Sequence, residues 1–159
     1  MILYHGSYLR IEKPSLSFSR NTLDFGKGFY TTPVKEQAKK WSKRFINTKG
    51  QGILSAFEFD ESAMLSLNCL TFESYSEEWL EFIVSCRTGN DIGVEYQLII
   101  GGIANDNVFD TIEEYLQGYR TKEQAIARLR FEKPNIQYCF KEQVVIDEYL
   151  RFVSSEAVK

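Results

Sequence analysis

His5 is the only histidine in a chain of 159 residues. It is therefore the only side chain whose unperturbed charge change falls near neutral pH. It stands in "LYHGS", where an apolar run gives way to glycine. With no Cβ at Gly6, a ligand can approach the backbone closely and bond its peptide groups while His5 offers a ring nitrogen. No nucleophilic serine or cysteine motif accompanies the histidine, so a triad hydrolase is not expected. A second stretch, "DFGKGFYTT" at residues 24–32, sets Lys27 between two glycines in the manner of a phosphate loop. Its spacing rejects that chemistry. A Walker loop needs GxxxxGK followed by Ser or Thr, and here the lysine precedes glycine and phenylalanine. GxGxxG fails as well, because only Gly26 and Gly28 occur. Cys69, Cys86 and Cys139 are scattered and odd in number, without the spacing of a zinc site. They read as small apolar residues of a reducing compartment, and no metal is expected.

These residues need elements to position them. "MILYH" predicts a short strand that ends at the His5-Gly6-Ser7 turn. Residues 33–45 predict a helix with Thr32 as its cap and Pro33 in its first turn. Val34, Ala38, Trp41 and Phe45 would form its apolar face. Lys35, Lys39, Lys40, Lys43 and Arg44 crowd the remainder, as a solvated face or an anion patch. Residues 52–60 alternate as a strand does, and residues 64–72 are a second strand or an irregular partner. Residues 76–86 read as a helix capped by Ser76, with acids in the turn where the helix dipole favours them. "VEYQLIIGGIA" at 94–104 is a buried strand running into a Gly-Gly turn. Residues 110–118 and 121–131 are two helices, the second opening with Thr121 and Gln124 at capping-box spacing. Residues 136–153 begin as a strand and end in a further strand or a helix. No repeat, linker or boundary interrupts the chain. The expectation is a single α+β domain over residues 1–159.

A net charge of −3 argues against a broad basic surface for nucleic acid, though not against a local patch. No segment reaches bilayer-spanning length, and the first ten residues lack the pattern of a signal peptide. A cytoplasmic protein is expected.

"FGKGFYTTPVKEQAKKW" resembles the "FGKGIYFAD" segment of poly(ADP-ribose) polymerase catalytic domains, and "LYHGS" resembles their "HGT"-type strand end. Their third element is a glutamate in a pattern like "NEYIVY", and "NIQYCF" at 135–140 looks like its counterpart. More closely, the chain resembles small bacterial ADP-ribosyltransferase-like proteins over about residues 2–150, through "LYHGS", "DFGKGFYTT", "IIGGIANDNVF" and "KPNIQYCF".

The resemblance implies a split, mixed or antiparallel sheet with flanking helices, and NAD as co-substrate. It implies NAD contacts at His5, Gly6, Ser7, Arg20, Gly28, Tyr30 and Trp41. His5 would bond ribose hydroxyls and Gly6 the nicotinamide amide. Tyr30 and Trp41, eleven residues apart, would hold the flat ring between them. Gln137 stands where the family has its catalytic glutamate. Glutamine keeps hydrogen bonding but has neither the charge nor the basicity. Polymer formation is then not expected, whereas single transfer is. Glu95, Asp106 and Glu142 are candidates for the missing base, with Asp106 favoured. Arg10, Arg20 and Lys27 are candidates for the diphosphate.

The expected activity is mono-ADP-ribosyl transfer from NAD to a macromolecule, in the manner of a bacterial toxin held by an antitoxin partner. The alternatives are a non-catalytic NAD or nucleotide-binding module and a transferase acting on RNA or DNA.

Overall fold

The runs "ILYHGS" and "GILSAFEF" form β1 (Ile2–Ser7) and β3 (Gly52–Phe59), neighbouring antiparallel strands, and β3 is buried along most of its length. The computed structural model describes residues 1–159. After β1 come β2 (Phe29–Thr31), α1 (Lys35–Lys43), α2 (Ile46–Lys49) and β3. Then follow β4 (Cys69–Thr71), α3 (Glu77–Arg87), β5 (Leu98–Gly102), α4 (Asp106–Leu116) and α5 (Lys122–Leu129). β6 (Ile136–Phe140), α6 (Gln143–Tyr149) and β7 (Leu150–Val158) complete the chain.

The strands form two sheets, β1-β3-β7 and β2-β6-β5-β4. The first is antiparallel; the second is antiparallel except for the parallel pair β4-β5. This is a mixed α+β fold, as the sequence predicts. No helix is long and apolar enough to cross a membrane.

Two apolar clusters sit on opposite faces of the four-stranded sheet. Phe29, Leu98, Ile100 and Phe140 meet Leu3, Phe57 and Phe59 of the other sheet. Ring pairs Phe29–Phe57 at 5.6 Å and Phe59–Phe140 at 5.2 Å lock this layer. On the far face, Phe25, Trp79, Ile83, Ile99, Ile112 and Cys139 pack with α3, α4 and α5. Burying six such side chains is worth roughly 1.5–3 kcal/mol each.

The sheets are joined at one seam. Tyr4 of β1 and Thr32, the residue just after β2, exchange backbone hydrogen bonds of 2.8 and 2.9 Å in a lone bridge. Beyond it the two strands part.

Several local expectations need correction. Thr32 does not cap α1: Val34 is the cap residue, without a side-chain bond. The Thr32 hydroxyl donates to the Ile136 carbonyl at 2.8 Å and accepts the Val34 N–H at 3.1 Å. Gly101 and Gly102 do not form a turn but complete β5. A Cβ on Gly102 would lie 2.2 Å from the Tyr75 ring, so aromatic packing rather than chain reversal accounts for that glycine. α4 starts at Asp106, with Asn105 accepting the Val108 N–H, earlier than apolar spacing indicates. Ser76 and the Thr121–Gln124 capping box cap their helices as expected. On α1 the buried face is Ala38 and Ser42, whereas Val34 and Trp41 are largely exposed.

Candidate active site at the sheet seam

The strand pairing fixes which way the peptide groups near His5 point. Met1 and Phe59 exchange hydrogen bonds. Antiparallel pairs alternate, so Leu3, His5 and Ser7 bond β3, while Tyr4 and Gly6 face the other side. Tyr4 finds Thr32 there. The next pair along would be Gly6 with Tyr30, and it never forms. His5 Nδ1 lies 2.7 Å from the Tyr30 carbonyl and takes up that acceptor instead. The N–H and C=O of Gly6 are left without a backbone partner on the side of β2. A Cβ at Gly6 would stand 2.3 Å from the Ala38 carbonyl oxygen and 3.0 Å from the Ser42 nitrogen. Glycine here is what lets α1 lie directly over β1.

The Tyr30 carbonyl can only accept, so Nδ1 carries the proton and neutral His5 presents Nε2 as an acceptor. The ring stacks on Phe29 at 4.6 Å. Burial pushes the imidazole below its ordinary value of 6.5, against the opposing pull of the Tyr30 carbonyl. The unfolded chain therefore binds the proton more readily than the folded one. Stability should be full above about pH 6.5 and decline as pH falls toward the lower folded value. Urea unfolding at pH 7.5 and 5.5 checks this, and His5→Ala should flatten the difference.

Tyr30 buttresses the loop before it. Its hydroxyl donates to the Gly26 carbonyl at 2.6 Å and accepts the Phe25 N–H at 2.9 Å. Burial pushes its ionisation well above the ordinary value, so it remains a donor. Gly26 turns with φ of 73°, and Gly28 passes so close to β6 that a Cβ would meet Cys139 Sγ at 2.3 Å. Burial raises that thiol to about 12, leaving it unreactive. Lys141, whose side chain is 3% exposed, clamps the loop from below. It donates to the Phe25 carbonyl at 2.6 Å and to Asp91 at 3.0 Å, and Asp91 accepts the Lys27 N–H.

Gln137 is buried on β6, on the same face as Cys139 and hence as Tyr30. Its Nε2 donates to the Gly102 carbonyl at 3.4 Å and to Asp24 at 3.3 Å. The carboxylate beside the third position is therefore Asp24, the first residue of the "DFGKG" loop. Glu95, Asp106 and Glu142 make no bond to Gln137. Asp106 opens α4 rather than lying in a loop; its side chain is 73% exposed and pairs with Arg44 at 3.3 Å and Lys40 at 3.9 Å. Glu142 accepts from Gln97.

α1 lines the other side. Arg44 reaches Asp106, so the flank carrying Gln37, Trp41 and Arg44 looks toward the start of α4. Gln37 escaped the sequence reading, since a glutamine among lysines gives no signal. Both atoms of its amide are shut off from solvent without a partner. Trp41 is 47% exposed, with the Arg44 guanidinium 4.5 Å from its ring centre. Tyr30 stacks on Phe25 at 6.5 Å, and no ring contact joins Tyr30 to Trp41.

Other expected contacts are dispersed. Ser7 Oγ accepts the Leu9 N–H at 3.3 Å. Arg10 pairs with Glu12 at 2.7 Å. Arg20 and Lys27 are exposed in the loop before β2. Four of the five cations on the basic face of α1 make ion pairs: Lys35 with Glu156, Lys39 with Glu36, and Lys40 and Arg44 with the one carboxylate of Asp106. Two surface hollows, of about 480 and 580 Å³, lie by the end of β7 and by Met1, away from the seam.

A family model described as "Protein of unknown function (DUF3990)" matches residues 1–152. No curated protein matches the chain, and no solved structure does.

Proposed function

The chain belongs to the DUF3990 family, and we propose that it is an NAD-dependent mono-ADP-ribosyltransferase acting on a macromolecular acceptor. One observation carries this reading. At the seam, Gly6 offers an unpaired N–H and C=O side by side, with His5 filling the place its strand partner would take. A carboxamide is the complement of that pair, one acceptor and one donor in a plane. Nicotinamide carries such a group, and Tyr30 and Gln137 stand on the strands next to it. The resemblance of "LYHGS" and "DFGKGFYTT" to ADP-ribosyltransferases points the same way.

In the transfer, the bond between ribose C1′ and the nicotinamide nitrogen breaks, and its electron pair leaves with the ring, neutralising the pyridinium. A lone pair of the acceptor bonds C1′, and the acceptor's proton passes to water. The groups of this chain hold the reactants: Gly6 the carboxamide, His5 Nε2 and Gln137 Oε1 ribose hydroxyls, Trp41 the open flank. Holding the reactants in line supplies much of the rate. The Arg44–Asp106 pair spans α1 and α4 across this flank. As a surface pair it is worth about 0–1 kcal/mol, little enough for a dinucleotide to displace.

The acceptor is protein in this reading rather than nucleic acid, because most cations of α1 are already paired. The toxin role and the antitoxin partner belong to the same proposal. The test is incubation with adenylate-labelled NAD and cell lysate, following free nicotinamide by chromatography. Nicotinamide release with protease-sensitive label is expected. Nuclease-sensitive label would shift the acceptor to nucleic acid. Saturable NAD binding without release would leave a binding module only.

A further inference from the structure

Gln137 lacks a charge, but its neighbour supplies one. The Asp24 side chain is 15% exposed. Its Oδ1 accepts from Arg87 Nε at 3.0 Å and Nη2 at 2.8 Å. Its Oδ2 accepts the Ala104 N–H at 3.4 Å and Gln137 Nε2 at 3.3 Å. Arg87 also meets Glu113 at 3.6 Å. Two carboxylates thus share one guanidinium, and the cluster of Asp24, Arg87 and Glu113 keeps one formal negative charge.

Both groups facing Gln137 Nε2, the Asp24 carboxylate and the Gly102 carbonyl, are acceptors. Only the amide's NH₂ end can satisfy them, so the side chain has a single orientation. Its Oε1 is directed away and has no protein partner. A carboxylate on the NH₂ end of an amide polarises it, and the oxygen gains negative character.

We propose that Asp24 is a positioning residue for the transfer, fixing Gln137 with its oxygen toward the ligand and lending its charge through that amide to an electron-poor ribose. The proposal rests on the NAD reading above. It divides between two residues, 113 positions apart, the role that a single glutamate has in the family the chain resembles.

Asp24 touches Gln137 and not the ligand. Its removal therefore acts on turnover and on charge discrimination rather than on the carboxamide contact. In Asp24→Asn the Arg87 contact is retained through the amide oxygen, and an NH₂ group faces Gln137. The bond that Oδ2 accepts from Gln137 is then lost together with the charge, and the Gly102 carbonyl alone holds the NH₂ end of Gln137.

The experiment compares wild type, Asp24→Asn, Gln137→Leu and the double variant Asp24→Asn/Gln137→Glu. It measures nicotinamide release, calorimetric affinity for NAD⁺ and for NADH, and thermal melting. Asp24→Asn should lose about a hundredfold in kcat, the scale of one removed electrostatic contact, with KM changed less than about threefold. It should also lose the preference for NAD⁺ over NADH. Gln137→Leu, which leaves Asp24 on Arg87, should lose the same preference. The double variant restores a carboxylate to the third position and should recover kcat to within about tenfold of wild type. An Asp24→Asn protein that keeps wild-type kcat and NAD⁺ preference overturns the proposal. So does a double variant no better than Asp24→Asn. If Asp24→Asn does not fold, Gln137→Leu decides: a Gln137→Leu protein that keeps wild-type kcat and NAD⁺ preference overturns the proposal. A wild-type protein that neither binds NAD nor releases nicotinamide overturns the NAD reading and this proposal together; wild-type binding with unaltered variants overturns this proposal alone.

Discussion

Alanine at Gly6 is expected to abolish NAD binding and to destabilise the fold at once. The added Cβ would stand 2.3 Å from the Ala38 carbonyl oxygen and 3.0 Å from the Ser42 nitrogen. Both are backbone atoms of α1, so no rotamer change relieves the clash; the helix must move off the strand. Overpacking of this kind costs about 1–3 kcal/mol. α1 also leans on Gly52, whose Cβ would lie 2.5 Å from the Ser42 carbonyl oxygen, so the shift extends along the helix. Gln37 and Trp41 travel with it, away from the Gly6 peptide edge. A displacement of about 1 Å costs about a hundredfold in a positioned reaction. Calorimetry with NAD should show no saturable binding, and urea unfolding should show the lowered stability. Alanine at Gly50, which has open space around it, makes the contrast. It strains a residue of φ 80° and weakens the turn after α2, but should leave NAD affinity intact.

Much of this architecture is legible in the sequence, for local reasons. The capping box at Thr121 and Gln124 and the Ser76 cap are short-range chemistry, and they fall where the sequence puts them. β1, β3 and β6 fall within segments that the sequence marks as strands. What escapes is set by contacts distant along the chain. Gly101-Gly102 has the composition of a turn, yet Phe25, Phe72 and Tyr75 press against it and keep it in the sheet. Thr32 has the composition of a cap, yet its hydroxyl is drawn across to β6 by the Ile136 carbonyl. Trp41 and Val34 share the apolar spacing of α1, but Ser42 is the residue fully buried there, because the helix sits on two glycines. The proposed site divides in the same way. His5, Gly6, Tyr30 and Gln137 are singled out by their motifs. Asp24 is in plain view in "DFGKG", but only folding sets it against Gln137. Gln37 is visible only through burial of an amide that nothing in the chain bonds.

Loss of His5 should be the most damaging single change to turnover that leaves the backbone in place. His5→Ala removes three things. The Tyr30 carbonyl loses its donor in the seam, which costs about 1–3 kcal/mol when the group cannot reach water. Phe29 loses a ring stacked at 4.6 Å. The ligand loses the Nε2 acceptor. Only the last bears directly on ribose recognition, so kcat/KM should fall by about a hundredfold or more, roughly 2.7 kcal/mol in the transition state. The pH profile separates these contributions. Nε2 accepts only while the ring is neutral, and burial keeps it neutral to below its ordinary value of 6.5. Wild-type kcat/KM should hold through neutral pH and drop as pH falls through the lowered value, as one proton binds the free enzyme. In His5→Ala that acidic limb should vanish while the lower plateau persists. A limb that survives would assign the proton to another group, and an undiminished plateau would remove His5 from the site. The chain has no second histidine to take over the titration, so the profile reads this one ring and the seam it holds open.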